Sequence, residues 1–452
     1  MLQQNIFFIR NTISKKGVLQ HEGTLYVLIG TIVLITGLLY ARDLSGLDVN
    51  KFNLLAYAII PAVFMNHATL IYYTLFLIPL SSGLPWNYLY PLLILLMLIK
   101  RTKIINQGGL LCFIAIAFYE LIHYGFYPIP LQVSSTIGYL TTIFFLCYMT
   151  TLKDPTVSNT KCIIFYCVGI FVFLFAIWYI TQINNNIEML LESGKRIGNT
   201  KRITGIEADV MMLNANPNQL GYISLTGTSM ILVLYYMRRL QFWSMMLFCV
   251  VFVYIGALSV SRTWLLGITL LILLFVFFTR QLNEKRKKFY HLIFLLLIGI
   301  GIYAFFNNKL IYDSFSRRFT EGDISTAGSR ITIFNEYNKV LMNNPFYLIF
   351  GVSAVHYKII ITEIQLATHN GIQQVLVSYG LIGLILFVNI TVQAIKRNYR
   401  KNFLICSIPF IVAFFYVQSG QLLNPYHNLY PFIVSFVAMR LIDDENITPK
   451  DT

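Results

Sequence analysis

Apolar residues in this chain come in long unbroken runs, not in alternation, and the runs recur from one end to the other. Stretches such as Leu25 to Ala41 and Leu292 to Phe306 hold no charged residue at all. About twenty such residues cross a hydrocarbon core roughly 30 Å thick, where a helix satisfies its own backbone groups. The absence of period-two alternation argues against a barrel of strands. The pattern predicts spans near 24–41, 53–65, 68–81, 86–99, 109–127, 134–151, 162–181, 217–236, 242–260, 263–279, 289–306, 370–394, 403–419 and 426–441. Two of them, 53–65 and 68–81, are short and carry Pro61 and Pro79, so twelve to fourteen spans are expected. The fold class that follows is an all-α, polytopic integral membrane protein, with residues 1–452 forming one membrane domain.

Two polar segments interrupt the runs: a loop at 182–216 and a larger one at 307–368. Loops of that length usually carry function or are disordered. Within the larger one, Ile333, Phe334, Tyr337, Val340 and Leu341 recur at helical spacing. The spacing predicts an amphipathic helix over 331–342, able to lie on the outer membrane face, with Ser329 as its N-cap and Arg330 in its first turn.

Composition agrees with a membrane protein, at 57% hydrophobic and 12% charged. A net charge of +15 would suggest nucleic acid in a soluble protein, but here the placement of charge decides. One side comprises the first 23 residues, the loops 100–107, 152–161, 237–241, 280–291 and 395–402, and the C-terminus. It carries 21 Lys and Arg against 7 Asp and Glu, whereas the loops of the other side carry 13 against 11. Such asymmetry is the positive-inside signal, and no nucleic-acid partner is needed to explain it. Both termini are therefore expected in the cytoplasm and the long loops outside. The six cysteines fall in or beside spans at no metal or redox spacing and read as small apolar residues. No cleavable signal peptide is expected, because the first apolar segment is a full span.

A few outward polar residues are costly enough to need a reason. Arg262 interrupts the nearly uncharged run 242–278 as Ser259-Val-Ser-Arg-Thr263, at the outer tip of a predicted hairpin. It reads either as a snorkelling cation or as a cation facing an anionic ligand. Arg330 stands in a helix's first turn, where the dipole disfavours a cation unless an anion binds beside it. His369 opens the span after the large loop, followed by Asn370, Gln373, Gln374 and Ser378. A neutral imidazole there suits a general base, and the amides suit sugar hydroxyls. Asn214-Ala-Asn216-Pro217-Asn218-Gln219 closes a loop that contains Lys195, Arg196, Lys201 and Arg202. Asn216 and Pro217 read as N-cap and first helical residue, with Asn216, Asn218 and Arg202 as candidate substrate contacts. Glu120 and His123, three apart inside a span, either satisfy one another or mark a transport path.

These elements in this order resemble the O-antigen ligase and O-antigen polymerase superfamily. The resemblance rests on Asn216 to Asn218, Ser261-Arg262, Gly328-Ser-Arg330, Phe350-Gly351, His369-Asn370 and Tyr379-Gly-Leu-Ile-Gly383, and it is strongest from about 214 to 389. It implies a membrane glycosyltransferase using an undecaprenyl-diphosphate-linked glycan donor and a glycan acceptor. The site would face the periplasm or cell exterior of the bacterial cytoplasmic membrane, in contact with the lipid bilayer, and a chain-length regulator protein is an implied partner. His369, Arg330 and Arg262 become the catalytic candidates, and Asn370, Gln373, Asn216, Asn218 and Arg202 the substrate-binding ones. No Asp-x-Asp motif occupies an outward loop, so no metal or other cofactor is expected. Ligases of this family often show adjacent histidines where this chain has Thr368-His369, which favours a polymerase over a ligase. A lipid-linked oligosaccharide flippase is the alternative of another class, with Glu120 and His123 as its support.

Overall fold

The computed structural model describes residues 2–100, 107–126, 133–151, 156–192, 211–279, 330–357, 368–398, 403–420 and 429–441, with single residues and runs of two or three between them. Among these the chain is helical without strands. In chain order the helices are α1 (Leu2–Ser45), α2 (Lys51–Val63), α3 (His67–Leu77), α4 (Trp86–Ile99), α5 (Gln107–Phe126), α6 (Val133–Thr151), α7 (Asn159–Asn185) and α8 (Ile187–Glu192). They continue as α9 (Pro217–Tyr236), α10 (Phe242–Leu258), α11 (Arg262–Phe278), α12 (Arg330–Asn343), α13 (Pro345–Phe350), α14 (Gly371–Asn398), α15 (Phe403–Cys406), α16 (Ile408–Val417) and α17 (Leu429–Met439). Among the described residues three segments, Gly23–Ser45, Asn159–Asn184 and Gly371–Gln393, are long and apolar enough to cross a membrane, and the other apolar helices are shorter. The predicted span at 289–306 lies outside the described residues.

Helix starts follow short polar side chains that accept from the first orphan N–H groups. Asn66 accepts from Thr69 N at 2.9 Å, Ser261 from Trp264 N at 3.4 Å, and Asn216 forms a reciprocal capping box with Gln219 ahead of Pro217. At the centre stands α9, buried on every side from Leu220 to Leu234 and packed by α7, α10, α11 and α16. Small residues (Gly221, Ser224, Thr226, Gly227, Thr228, Ser229) let neighbouring helices approach closely, as membrane bundles require.

Two expectations are revised. The run at 370–394 is not one straight helix: the backbone breaks at Gly380, with φ of +64° and non-helical ψ. Carbonyls freed there are used at once, Val377 O accepting from Val352 N and Ser378 O from Ser353 N, each at 2.9 Å. Gly351, at φ +76°, presses against Ser378 and Tyr379 backbone, and Gly380 against Ile349 backbone, so close that a Cβ on either would fall within 2.5 Å of a main-chain atom. The amphipathic α12 forms as its period predicts, but its stripe does not lie on lipid. Ile333, Tyr337 and Leu341 are buried against Val352, Tyr357, Ile361, Ile364 and Val377. The large loop therefore supplies its own apolar partner, and α12 folds onto the protein.

Candidate functional site

The start of α11 and the start of α12 each present an arginine, and tertiary packing brings the two close enough for their charges to influence one another. Arg262 is the first residue of α11 behind its Ser261 cap, and Arg330 the first of α12. Both are half-buried. Burial draws the Arg330 guanidinium below its ordinary value; Tyr416 opposes that shift, and the neighbouring charge of Arg262 adds to it. No carboxylate pairs with Arg330 among the described residues.

Tyr416, near the end of α16, joins the pieces. Its hydroxyl donates to Asn218 O at 2.6 Å, lies 3.2 Å from Ser261 Oγ, and its ring stacks on Tyr222 with centroids 4.9 Å apart. Arg330 and Arg196 both reach it electrostatically. Beside it, Ser419 Oγ donates to Thr263 Oγ1 at 2.9 Å. Two residues past Tyr416, Gln418 O accepts from Asn370 Nδ2 at 3.3 Å, and this ties the start of α14 to the same rim. Asn370 also caps α14 by accepting from Gln373 N at 2.9 Å, so the helix begins at Gly371 and His369 stands just ahead of it, half-buried.

The amides of α14 are braces between elements. Gln373 Nε2 donates to Phe334 O at 2.7 Å and to Asn338 Oδ1 at 2.9 Å, clamping α12 against α14. Its Oε1 is buried and meets no donor among the described residues. Gln374 Oε1 accepts from Leu423 N at 2.8 Å. The Asn216 side chain is spent on its cap, and Asn218 enters through its carbonyl. Arg202 lies outside the described residues.

Thus Arg262, Arg330, Asn218, Asn370 and Gln373, from four separate stretches of sequence, are linked through Tyr416, Gln418 and α12, and His369 precedes Asn370 in the chain. Sequence reasoning missed Tyr416, whose role depends on contacts more than a hundred residues away, and gave Arg196 no role of its own. Glu120 is satisfied elsewhere than by His123. Its carboxylate accepts from Ser353 Oγ at 2.5 Å and from Ala354 N and Tyr379 Oη at 2.9 Å.

Two half-buried cations at helix N-termini make a site for a multiply charged anion, because dipole, backbone donors and guanidinium forks all favour negative charge there. Fold and site together define a helical membrane protein with arginines at two helix starts that interact electrostatically. Residues 247–388 match the family model described as O-antigen ligase, a region that contains Arg262, Arg330 and His369. Over that region the chain is similar to the family, and the match supports a relationship to the O-antigen ligase and polymerase superfamily and a glycosyltransferase-like role at a membrane. No match was found among curated proteins.

Proposed function

We propose that the protein polymerises undecaprenyl-diphosphate-linked oligosaccharide repeat units at the outer face of the bacterial cytoplasmic membrane, without a metal ion. The observation that carries this reading is the pairing of Arg330 with Arg262 at two helix starts. An isolated like-charge pair is unfavourable, and a diphosphate converts it into a charge-assisted grip. The acceptor hydroxyl loses its proton to His369 and attacks C1 of the donor sugar. As the new C1–O bond forms, the old one to the diphosphate breaks, and the bonding electrons leave with the lipid diphosphate. Arg262 and Arg330 stabilise the charge that develops on that leaving group. A neutral imidazole meets the need for a base at neutral pH.

The ligase is the second reading, favoured by the description of the matched family. Purified protein supplied with lipid-linked single repeats separates the two. Ladders of lengthening lipid-linked glycan support the polymerase. Transfer only to a non-lipid-diphosphate acceptor supports the ligase, and movement of unaltered donor across a liposome membrane would replace both with the flippase. Partners of Glu120 in the outer loop and α14 account for that buried carboxylate without a transport path.

A further inference from the structure

The geometry points to Glu120 as a positioning residue that holds the outer-loop strap 351–357, and through it sets both Arg330's helix and His369. This inference rests on the glycosyltransferase reading for its activity arm and on structure alone for the rest. Glu120 is fully buried on α5, more than two hundred residues from its partners in sequence. An acceptor-only carboxylate in that place needs donors, and it receives three: the Ser353 hydroxyl, the Ala354 N–H and the Tyr379 hydroxyl. Tyr379 Oη lies 2.5 Å from Tyr139 Oη, which extends the network into α6.

Ser353 is the pivot of the strap. Its φ is +86°, a conformation unfavourable for a side chain with a Cβ, and it persists because the surroundings hold it. Val355 N and His356 N turn back onto Ser353 Oγ at 3.2 Å, and His356 Nδ1 lies at the same distance. With the hydroxyl proton committed to Glu120, Nδ1 meets Oγ as the donor, which leaves the imidazole lone pair on Nε2. One residue further, Tyr357 packs on Tyr337 of α12, ring centroids 6.0 Å apart, and lies against Thr368 and Gln374, which flank His369 and Asn370. The strap therefore touches the helix that starts with Arg330 and the turn that carries His369. Among the described residues the hydrogen bonds of Glu120 reach neither directly, so it acts through the strap.

The test uses full-length protein in nanodiscs, with Ala354→Cys as a reporter because Ala354 is buried beside the carboxylate. Glu120→Ala should raise its labelling by a water-soluble maleimide about tenfold or more, since charged hydrogen bonds of this kind are the strong ones. Ser353→Ala and Tyr379→Phe each remove one donor and should give smaller rises, which keeps the test open if Glu120→Ala does not fold. Glycan elongation should lose about tenfold or more in kcat with donor KM held within about twofold, and Glu120→Gln, which keeps one oxygen, should recover part of both. Unchanged labelling in Glu120→Ala and in both milder variants overturns the proposal. So does an equal loss of donor binding and kcat, the mark of general collapse. Arg330→Ala serves as the control for the reaction itself: unchanged elongation there sinks the glycosyltransferase reading, while the labelling still judges the strap.

Discussion

At the scale of single residues, the site holds charges that cost stability until a ligand arrives. Arg262 and Arg330 each sit at the positive end of a helix dipole and repel one another. Replacing either with Ala should leave thermal stability of the donor-free protein unchanged or slightly raised, because repulsion is removed. The same change should lower elongation by about 10²- to 10³-fold, the usual effect of deleting one group that stabilises developing negative charge. Lys should restore little, since it lacks the planar fork that grips two phosphate oxygens. Normal polymer from the double Ala variant, with protein present in the membrane, would remove the diphosphate role. For His369 the expected loss on change to Ala is about 10²- to 10⁴-fold in turnover with donor binding retained. His369→Gln separates base from cap, because it keeps hydrogen-bonding capacity and loses basicity. Near-normal elongation by that variant would assign His369 to structure. The arginines and the histidine stood out in the sequence, since charge beside apolar runs is expensive wherever it falls. Tyr416 did not, because a tyrosine at the end of a span is ordinary until its neighbours Asn218 and Ser261 are seen.

At the scale of elements, the joint between the outer loop and the broken α14 is the feature the chain depends on. Gly351→Ala or Gly380→Ala puts a Cβ into backbone and forces a side-chain residue to positive φ. Each should cost roughly 1–3 kcal/mol or more, seen as a lower unfolding temperature. By contrast Gly37→Ala, with open space around a helical position, should gain about 0.5–1 kcal/mol. A second consequence concerns pH. Burial, with His123 adding, holds His356 below its ordinary value, so the folded strap keeps a neutral imidazole among Glu120, Ser353 and Tyr357. The unfolded form binds more protons in that window, so the stabilisation is complete above about pH 6.5 and is lost as pH falls toward the folded value. Protection of the strap amides, taken relative to their intrinsic exchange at each pH, should therefore fall as pH is lowered from 8 to 5.5, and His356→Gln should flatten the change. An equally steep change in that variant would place its source elsewhere. Helix α12 was legible from the spacing of Ile333, Tyr337 and Leu341 because a helix writes its period into its own residues. The break at Gly380 was not, since Gly383 stands in the same run and the choice between them depends on which carbonyls the distant strap uses.

At the scale of the whole molecule, the tertiary contacts sort into two poles. At one, Asp43 Oδ2 accepts from Leu213 N at 2.9 Å, Arg42 donates to Gly83 O at 2.8 Å, and the arginine site lies around Tyr416. At the other, His67 pairs with Asp154 at 3.0 Å, Asn159 Nδ2 donates to Arg440 O at 3.2 Å, and Lys100 closes on the carbonyls of Ala62 and its neighbours. Asp43 and Leu213 fall in loops that the charge asymmetry assigns to one side, and Lys100, Asp154 and Asn159 in loops that it assigns to the other. Charge bias predicts an alternation of spans without any knowledge of packing. The neighbours of each span were not legible, since apolar faces of similar composition carry no address. The pole with the arginines is the one the proposed reaction needs outside the cell membrane, and two exposed positions test it. Leu47, in the loop after α1, belongs to that pole, and Thr156, in the turn before α7, belongs to the opposite one. In intact cells an impermeant maleimide should label Leu47→Cys and spare Thr156→Cys until the membrane is permeabilised. The six native cysteines give the blank, measured on the unaltered chain. Labelling of both from one side would break the two-pole arrangement. The reverse pattern would put the arginine site in the cytoplasm, where the proposed transfer at the outer face cannot occur.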